Sequence, residues 1–532
     1  MTTALALLLT GARLLDPARP ETLAGAAEPD SLLIVGDRIA AVGAAAVAAH
    51  PDAARAERRD LAGRWVVPGL WDHHVHLVQW AIARRRVDVS AATSAAQAAR
   101  ILVDHAQSTP PEPGTVLVGH GFRDALWPDA LDAALFGAEH PIAAISHDLH
   151  TVWANPLALR LLGLPEHEPV LREQPAFDAM AQLSALPTAT TDRWVADAVE
   201  AAAQRGVVGI RDLEMADAGG AWLRRRAVNG FPRVRVRAAV YPRDLATARE
   251  RGQRSYVALD GTDGLVEGGE FKLFADGSLN TRTAHCVHAY EGLSGVTAHG
   301  LEVNPGVELE QRAREGLAAG LVPTIHAIGD QAVTRALDVF EALNATGLLG
   351  PDAEAATRAG ATAADSSAAA ATAGWMEHAQ LVDLADLERF ARLGIQVSVQ
   401  PEHAMDDRDV ADALWAGRTE RSFAWRSLLD SGARLWFGSD APVAPLDPWV
   451  TIAAATARAR DGLAPWHPEQ VVPFAAALAA SVRSGLAVGE PADLAILDAD
   501  PVAASADPSG DALRGIPVAA TLLGGAFTHD AL

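Results

Sequence analysis

Two histidines one residue apart, His74 and His76, close an apolar run in the stretch WVVPGLWDHHVHL, residues 65–77. A run of that length reads as a buried strand, and residues two apart on a strand point the same way. Two imidazoles on one face at a strand end can grip one metal ion. An isolated pair is more often satisfied by local hydrogen bonds, so its weight depends on its company. Lys272, within EFKLFADG, is the only lysine among the 44 lysine and arginine residues. A bias toward arginine codons explains the depletion but not the survivor. Arginine replaces lysine as a surface charge, never as a neutral primary amine. Lys272 is therefore expected to do amine chemistry, since burial readily neutralises a lysine. Further ligand-type residues end other apolar runs: His326 in LVPTIHAIGD, His378 in WMEHAQ and Asp440 in LWFGSDAPV.

A scaffold must bring these distant residues together. The chain has 532 residues, 49% apolar and 21% charged, ample for a large core and a second, smaller domain. A formal net charge of -23 argues against nucleic acid or anionic membranes as partners. The single cysteine, Cys286, excludes an intrachain disulfide and fits a reducing, cytoplasmic setting. Residues 4–9 are apolar, but no basic residue precedes them and they are far too short to span a bilayer, so they read as a strand.

Strand-like runs at 207–211, 234–241, 270–275, 321–326, 375–378, 395–400 and 433–438 alternate with helix-like runs such as 311–319, 332–344 and 384–393. With the opening strand this makes eight, and the rhythm predicts an α/β fold, a (β/α)8 TIM barrel over residues 65–484. Short strands at 5–9, 32–35 and 39–42, and again at 492–497 and 518–523, predict a small composite β-sandwich domain from residues 1–64 and 485–532. The segment at about 80–200 carries helices at 92–107 and 191–204 and strands at 115–118 and 142–146. It is too long for a loop and reads as an inserted subdomain. Residues 351–374, rich in Ala, Thr and Ser, read as a surface insertion without chemistry. On such a barrel His74, His76, His326, His378 and Asp440 fall at C-terminal strand ends, with Lys272 slightly deeper, where barrel enzymes keep their chemistry. Alternation puts Lys272, Phe274 and Asp276 on one face, and Val322, Thr324 and His326 on another.

The stretches PGLWDHHVH, SHDLHTVWAN, EFKLFADGSLNTRTA, HAIGDQAV, EHAQ, VQPEH and FGSDAPVAPLDP resemble the amidohydrolase superfamily, and within it amidohydrolase family 3, the YtcJ-like branch that includes N-substituted formamide deformylases. The resemblance runs over nearly the whole chain. It implies a metal-dependent hydrolase in which His74 and His76, with Asp440, bind one divalent ion and His326 and His378 bind a second. Lys272, carboxylated by carbon dioxide, would bridge them. Zinc suits these donors first, with manganese, nickel or iron as alternatives. A metal-activated water would attack a substrate carbonyl, with Asp440 as the catalytic base. His150, Trp153 and Asn155 match the family's substrate-facing stretch, and His150 could hydrogen-bond the carbonyl. The competing reading of that stretch is a packed loop around a buried Trp. Asp276 and Arg282 could recognise polar substrate groups or pair with each other. Asp330 could cap the turn after His326 or touch substrate. Glu377 precedes a ligand with opposite parity and reads as a support, and His73 reads as structural. Asn280 departs from a frequent family glycine, and the closing segment is compressed to GEPADLAILD. The implied substrate is a small-molecule linear amide or N-acyl or N-formyl amine. A cyclic amide is the close alternative, and a non-catalytic binding barrel the distant one. A homodimer is compatible with this reading.

Overall fold

The eight expected barrel strands, five of them carrying candidate ligands, form one parallel sheet. They are β1 Leu70–Val75, β2 Val207–Asp212, β3 Arg235–Val240, β4 Val266–Phe274, β5 Pro323–Ala327, β6 Trp375–His378, β7 Gln396–Val399 and β8 Arg434–Phe437. This computed structural model describes residues 6–19, 21–22, 30–122, 124, 127–146, 151–172, 174–349 and 374–532. The insertion read at 351–374 thus lies, but for Gly374, outside the described residues, as does His150. Hydrogen bonds run in order from β8 to β1, and a parallel bridge from Val75 to Ala441 nearly closes the barrel. Helices such as Gly306–Ala318 and Asp330–Ala345 lie between strands and pack apolar faces on the sheet. Strands covered on both faces read as continuous apolar runs, which is why sequence found all eight.

The opening stretch is two strands, not one. Trp65–Pro68 pairs with Ala6–Leu14 and Leu494–Leu497, while β1 begins at Leu70 in the barrel. Gly69 makes the change of sheet possible, because a Cβ there would lie 2.5 Å from a Val208 methyl and 3.1 Å from the Asp493 carbonyl carbon. The terminal strands form one hydrogen-bonded path: Ala526–Asp530, Val518–Leu523, Leu494–Leu497, Trp65–Pro68, Ala6–Leu14, Asp30–Val35 and Arg38–Val42. Both ends of the chain thereby share a core of Leu9, Leu14, Ile34, Val66, Ile496 and Leu522.

The chain divides into two compact units, residues 1–77 with 199–532, and residues 78–198. The second unit has its own five-stranded sheet, from Val87–Asp88 through Leu117–Phe122, Ile142–Ser146 and Thr151–Ala154 to Val170–Arg172. Its helix Ala95–Ser108 starts later than the apolar pattern does, because the Ser94 side chain caps it by accepting from the Gln97 amide. Among the described residues no helix is long and apolar enough to cross a membrane.

Candidate metal centre

The end of β1 and the loop after β8 are laced together. The Asp440 amide donates to the His74 carbonyl at 2.7 Å, and the His76 amide to the Ala441 carbonyl at 2.9 Å. Gly438 permits this approach, since a Cβ would meet the His74 nitrogen at 2.5 Å. The Asp440 Oδ1 then lies 3.4 Å from His74 Nε2 and 3.2 Å from His76 Nε2. Two donors on a tetrahedral ion with bonds of 2.0–2.1 Å sit about 3.3 Å apart, so the three atoms suit one metal ion. Burial drives the His74 imidazole down to about 4, leaving it neutral and able to ligate. Burial alone would raise the Asp440 carboxyl, but His74 and His76 outweigh it and hold it well below the usual range.

His378 is turned into the same space. Its Nδ1 lies 2.7 Å from the Gln400 Oε1, which fixes the ring and leaves Nε2 as the free nitrogen. Its ring centroid is 5.0 Å from that of His74 and 4.4 Å from that of His326. His326 presents the other nitrogen: its Nε2 donates to the Gly277 carbonyl at 3.0 Å, leaving Nδ1. Lys272 is buried, and its Nζ has no hydrogen-bond partner among the described residues. Burial lowers this amine to about 8, with Glu377 and Asp440 pulling upward and Arg211 downward. His74, His76, His326 and His378 all feel its charge. An unpartnered buried amine beside neutral imidazoles fits the proposed bridging carbamate better than it fits a permanent ammonium.

Below the mouth lies a charged floor that the sequence reading missed. Arg211, fully buried, donates to Glu270 at 2.7 Å, to Glu377 at 2.6 Å and to Thr324 at 3.0 Å. Glu377 also accepts from Thr324 Oγ1 at 2.6 Å and from His74 Nδ1 at 2.8 Å. Arg237 joins Glu270 to Glu267, and Arg483 joins Glu267. A charged residue inside an apolar run, as in VVGIRD or EFKLF, was the signal available.

Glu377 does not point away from His378. On a regular strand consecutive side chains diverge, but His378 and Ala379 have φ of 76° and 43°. This left-handed break lets both Glu377 and His378 enter the barrel. A second break lies in β1. The His73 ring stacks on Trp71 and packs against Trp436 in the floor, while His74 faces Asp440 and His378.

The remaining expected residues divide clearly. Trp153 is fully buried in the core of the second unit, its ring centroid 4.1 Å from that of Phe136, the packing that the competing reading of its stretch describes. Asn155 caps the helix Pro156–Leu161. Asp276 and Arg282 do not pair. Asp276 is buried and accepts from the amides of His285, Ile328 and Gly329, whereas Arg282 is exposed at φ 57°. Burial pushes the Asp276 carboxyl up to about 7 despite those bonds. Asp330 accepts from the amides of Val287 and Gln331 and lies 3.4 Å from Arg421, a loop-tying role. Asn280 donates to Asp407. A cavity of about 340 Å³ is lined by Met215, Tyr241, Lys272, Phe274, Asn304 and Arg312, among others.

One residue of the site carried no expected role. His403, from VQPEH, lies in the first turn of the helix Pro401–Leu414, and its Nε2 is 3.8 Å from Asp440 Oδ2. Ligand-type atoms of His378, His403 and Asp440 all fall within 4.8 Å of one another, as do those of His74, His76 and Asp440.

The sequence model described as the Amidohydrolase family matches residues 57–529. The chain is 27% identical to Protein LONG AFTER FAR-RED 3 of Arabidopsis thaliana, over 86% of this chain and 79% of that protein. It is 25% identical to the N-substituted formamide deformylase of Arthrobacter pascens, over 94% of this chain and 95% of that protein. A crystal structure of an uncharacterized metal-dependent hydrolase from Pyrococcus horikoshii matches the fold with a TM-score of 0.75 at 23% identity, covering 93% of this chain and 98% of the other.

Proposed function

The chain belongs to the amidohydrolase family, whose chemistry is hydrolysis, and from that premise we propose that this member holds one or two divalent ions and cleaves a non-peptide carbon–nitrogen bond. Zinc is the first choice of ion, and a linear N-acyl or N-formyl amine the first choice of substrate. The observation that carries the reading is the convergence of His74, His76 and Asp440 at ligand spacing beside the unpartnered amine of Lys272. A divalent ion on these donors supplies a water that ionises near neutral pH and an electrophile that polarises a carbonyl. His74, His76 and Asp440 would hold one ion; His326 and His378 would hold the other. Lys272, uncharged, adds to carbon dioxide through a new N–C bond and loses a proton, becoming an anionic carbamate.

Asp440 does the proton work. Its Oδ1 sits between two imidazoles, and its Oδ2 is the oxygen left to accept the proton of the attacking water and return it to the leaving nitrogen. Glu377 orients His74 by accepting from its Nδ1, so that Nε2 offers its lone pair. The cavity beside Lys272 has apolar walls in Met215, Tyr241 and Phe274, which favours an apolar substituent on the substrate. The relative named a formamide deformylase, alignable over nearly its full length, favours a linear amide over a ring.

Metal analysis of the purified protein, with a hydrolysis panel of N-alkylformamides, N-alkylacetamides, a cyclic imide and an Xaa-Pro dipeptide, tests the reading. We expect bound zinc or an equivalent ion and turnover fastest on the linear amides. Bound metal with turnover confined to the cyclic imide or the dipeptide would move the substrate assignment; bound metal without any turnover would favour a binding protein.

A further inference from the structure

His403 is a buried polar group beside Asp440 to which the proposed mechanism gives no role. His403 is the third residue of the helix Pro401–Leu414 and is 6% exposed. Its Nδ1 faces the Gln380 Nε2 at 3.4 Å. With Nδ1 accepting from that amide, the ring proton is carried on Nε2. That nitrogen has no hydrogen-bond partner among the described residues. Its nearest acceptor, Asp440 Oδ2, lies 3.8 Å away, beyond hydrogen-bond reach. The ring plane is held by His378, stacked at 6.2 Å with 15° between planes.

A buried donor left without a partner is destabilising, and such a group in an active site is explained by what binds there. A ligand role fits poorly. The two nitrogen–oxygen separations that suit one ion are 3.2 and 3.4 Å, not 3.8 Å, and a protonated Nε2 has no lone pair to offer. A donor role fits. Asp440 is shared by the cluster of His74 and His76 and the cluster of His378 and His403, so His403 Nε2 faces the carboxylate proposed as base, on its Oδ2 rather than on the Oδ1 that His74 and His76 approach.

We infer that His403 is a further catalytic residue, donating from Nε2 to the substrate carbonyl oxygen as negative charge develops on it. This rests on the hydrolase reading. Asp440 and His403 then divide the work: the carboxylate takes the proton of the attacking water, and the imidazole N–H meets the oxyanion.

The test compares His403→Ala and His403→Asn with the wild type, each loaded with cobalt. Metal content per chain should be unchanged in both variants, because His403 is not a ligand. With N-hexylformamide, kcat should fall roughly 100-fold in His403→Ala with KM moving less than about threefold, and His403→Asn should recover part of the loss through its amide N–H. Acetohydroxamate affinity, read from the cobalt absorption spectrum, should weaken about tenfold. Loss of metal in His403→Ala would make the residue a ligand and overturn the proposal. So would unchanged hydroxamate affinity. Should the metal-loaded wild type cleave no amide, the reaction assignment falls while the hydroxamate titration still decides His403. A wild type that binds no metal overturns both.

Discussion

Glu377→Gln is the most informative single change, because one carboxylate serves two masters whose losses are read separately. Glu377 is fully buried and accepts from Arg211, from Thr324 and from His74 Nδ1. Gln keeps the volume but carries one oxygen in place of two. If that oxygen stays with Arg211 and Thr324, the amide nitrogen faces His74 Nδ1, and two N–H groups oppose each other. The relief is for His74 to move its proton to Nε2, the nitrogen that faces Asp440. Loss of an outer hydrogen-bond partner of this kind lowers metal affinity about 10- to 100-fold. At fixed saturating metal, a 100-fold weaker Kd removes about 2.7 kcal/mol of metal-linked stability. The metal-free protein loses stability separately. Arg211 retains Glu270 as its partner, so the loss should stay below the roughly 3–5 kcal/mol of a fully orphaned buried charge. Metal affinity by competition with a chromophoric chelator, together with urea unfolding with and without metal, resolves the two. A variant with wild-type metal affinity and a smaller stability only in the metal-free form would refute the orienting role and leave Glu377 as a counter-ion to Arg211.

Asp440→Asn keeps a ligating oxygen but no base, so it should retain metal and lose at least about 100-fold in kcat; near wild-type turnover removes Asp440 from proton transfer. Metal-free Lys272→Met should unfold at nearly the temperature of the metal-free wild type, since Nζ makes no hydrogen bond, yet bind at least one ion fewer when metal is supplied; a carbamate carbon signal from labelled carbon dioxide should appear in the wild type alone. Acid stability should depend on Glu267. Burial would raise its carboxyl, but Arg483 and Arg237 overcome that and hold it at about 2. A depressed carboxyl stabilises the fold above its unfolded value near 4.5, and this contribution, at most about 3 kcal/mol, disappears as pH falls toward 2. Unfolding of Glu267→Gln should accordingly show a flatter pH dependence between 4.5 and 2, and an unchanged slope would mean the pair contributes nothing. Trp153→Ala should cost about 3–5 kcal/mol in the unit containing it and leave KM unaltered, measured by unfolding and by kinetics; a large change in KM without destabilisation would restore Trp153 as a substrate contact.

Much of the fold was legible because barrel strands, buried on both faces, appear as apolar runs whatever their neighbours. The candidate ligands could be picked out because each is a hydrophilic residue at the end of such a run or, for Lys272, within it. What was illegible depends on backbone torsion. Alternation counted from His378 sends Glu377 outward, but Glu377 shares the parity of Trp375, whose ring lies against Arg211 in the floor, and it is His378, at a left-handed φ of 76°, that breaks the alternation. Gly69 could have announced the change of sheet after Trp65–Pro68, but the opening stretch is apolar on both sides of it. His403 escaped because it enters from a helix rather than a strand end.

The charged floor was hidden for a different reason: its members pair across strands far apart in sequence, so no local pattern records them. It nonetheless bears on the lone lysine. Three arginines, Arg211, Arg237 and Arg483, meet three glutamates, Glu267, Glu270 and Glu377, and the set is balanced by itself. Asp440, the next carboxylate above, is engaged by His74 and His76. An ammonium on Lys272 would match the charge of Asp440, but no hydrogen-bond acceptor among the described residues reaches its Nζ in this buried site. A carbamate at the same position, with Asp440, presents two negative charges, the complement of a divalent ion. Because the floor is balanced by itself, the net charge of the mouth is set by Asp440 and Lys272, the two groups through which the proposed ion would be held.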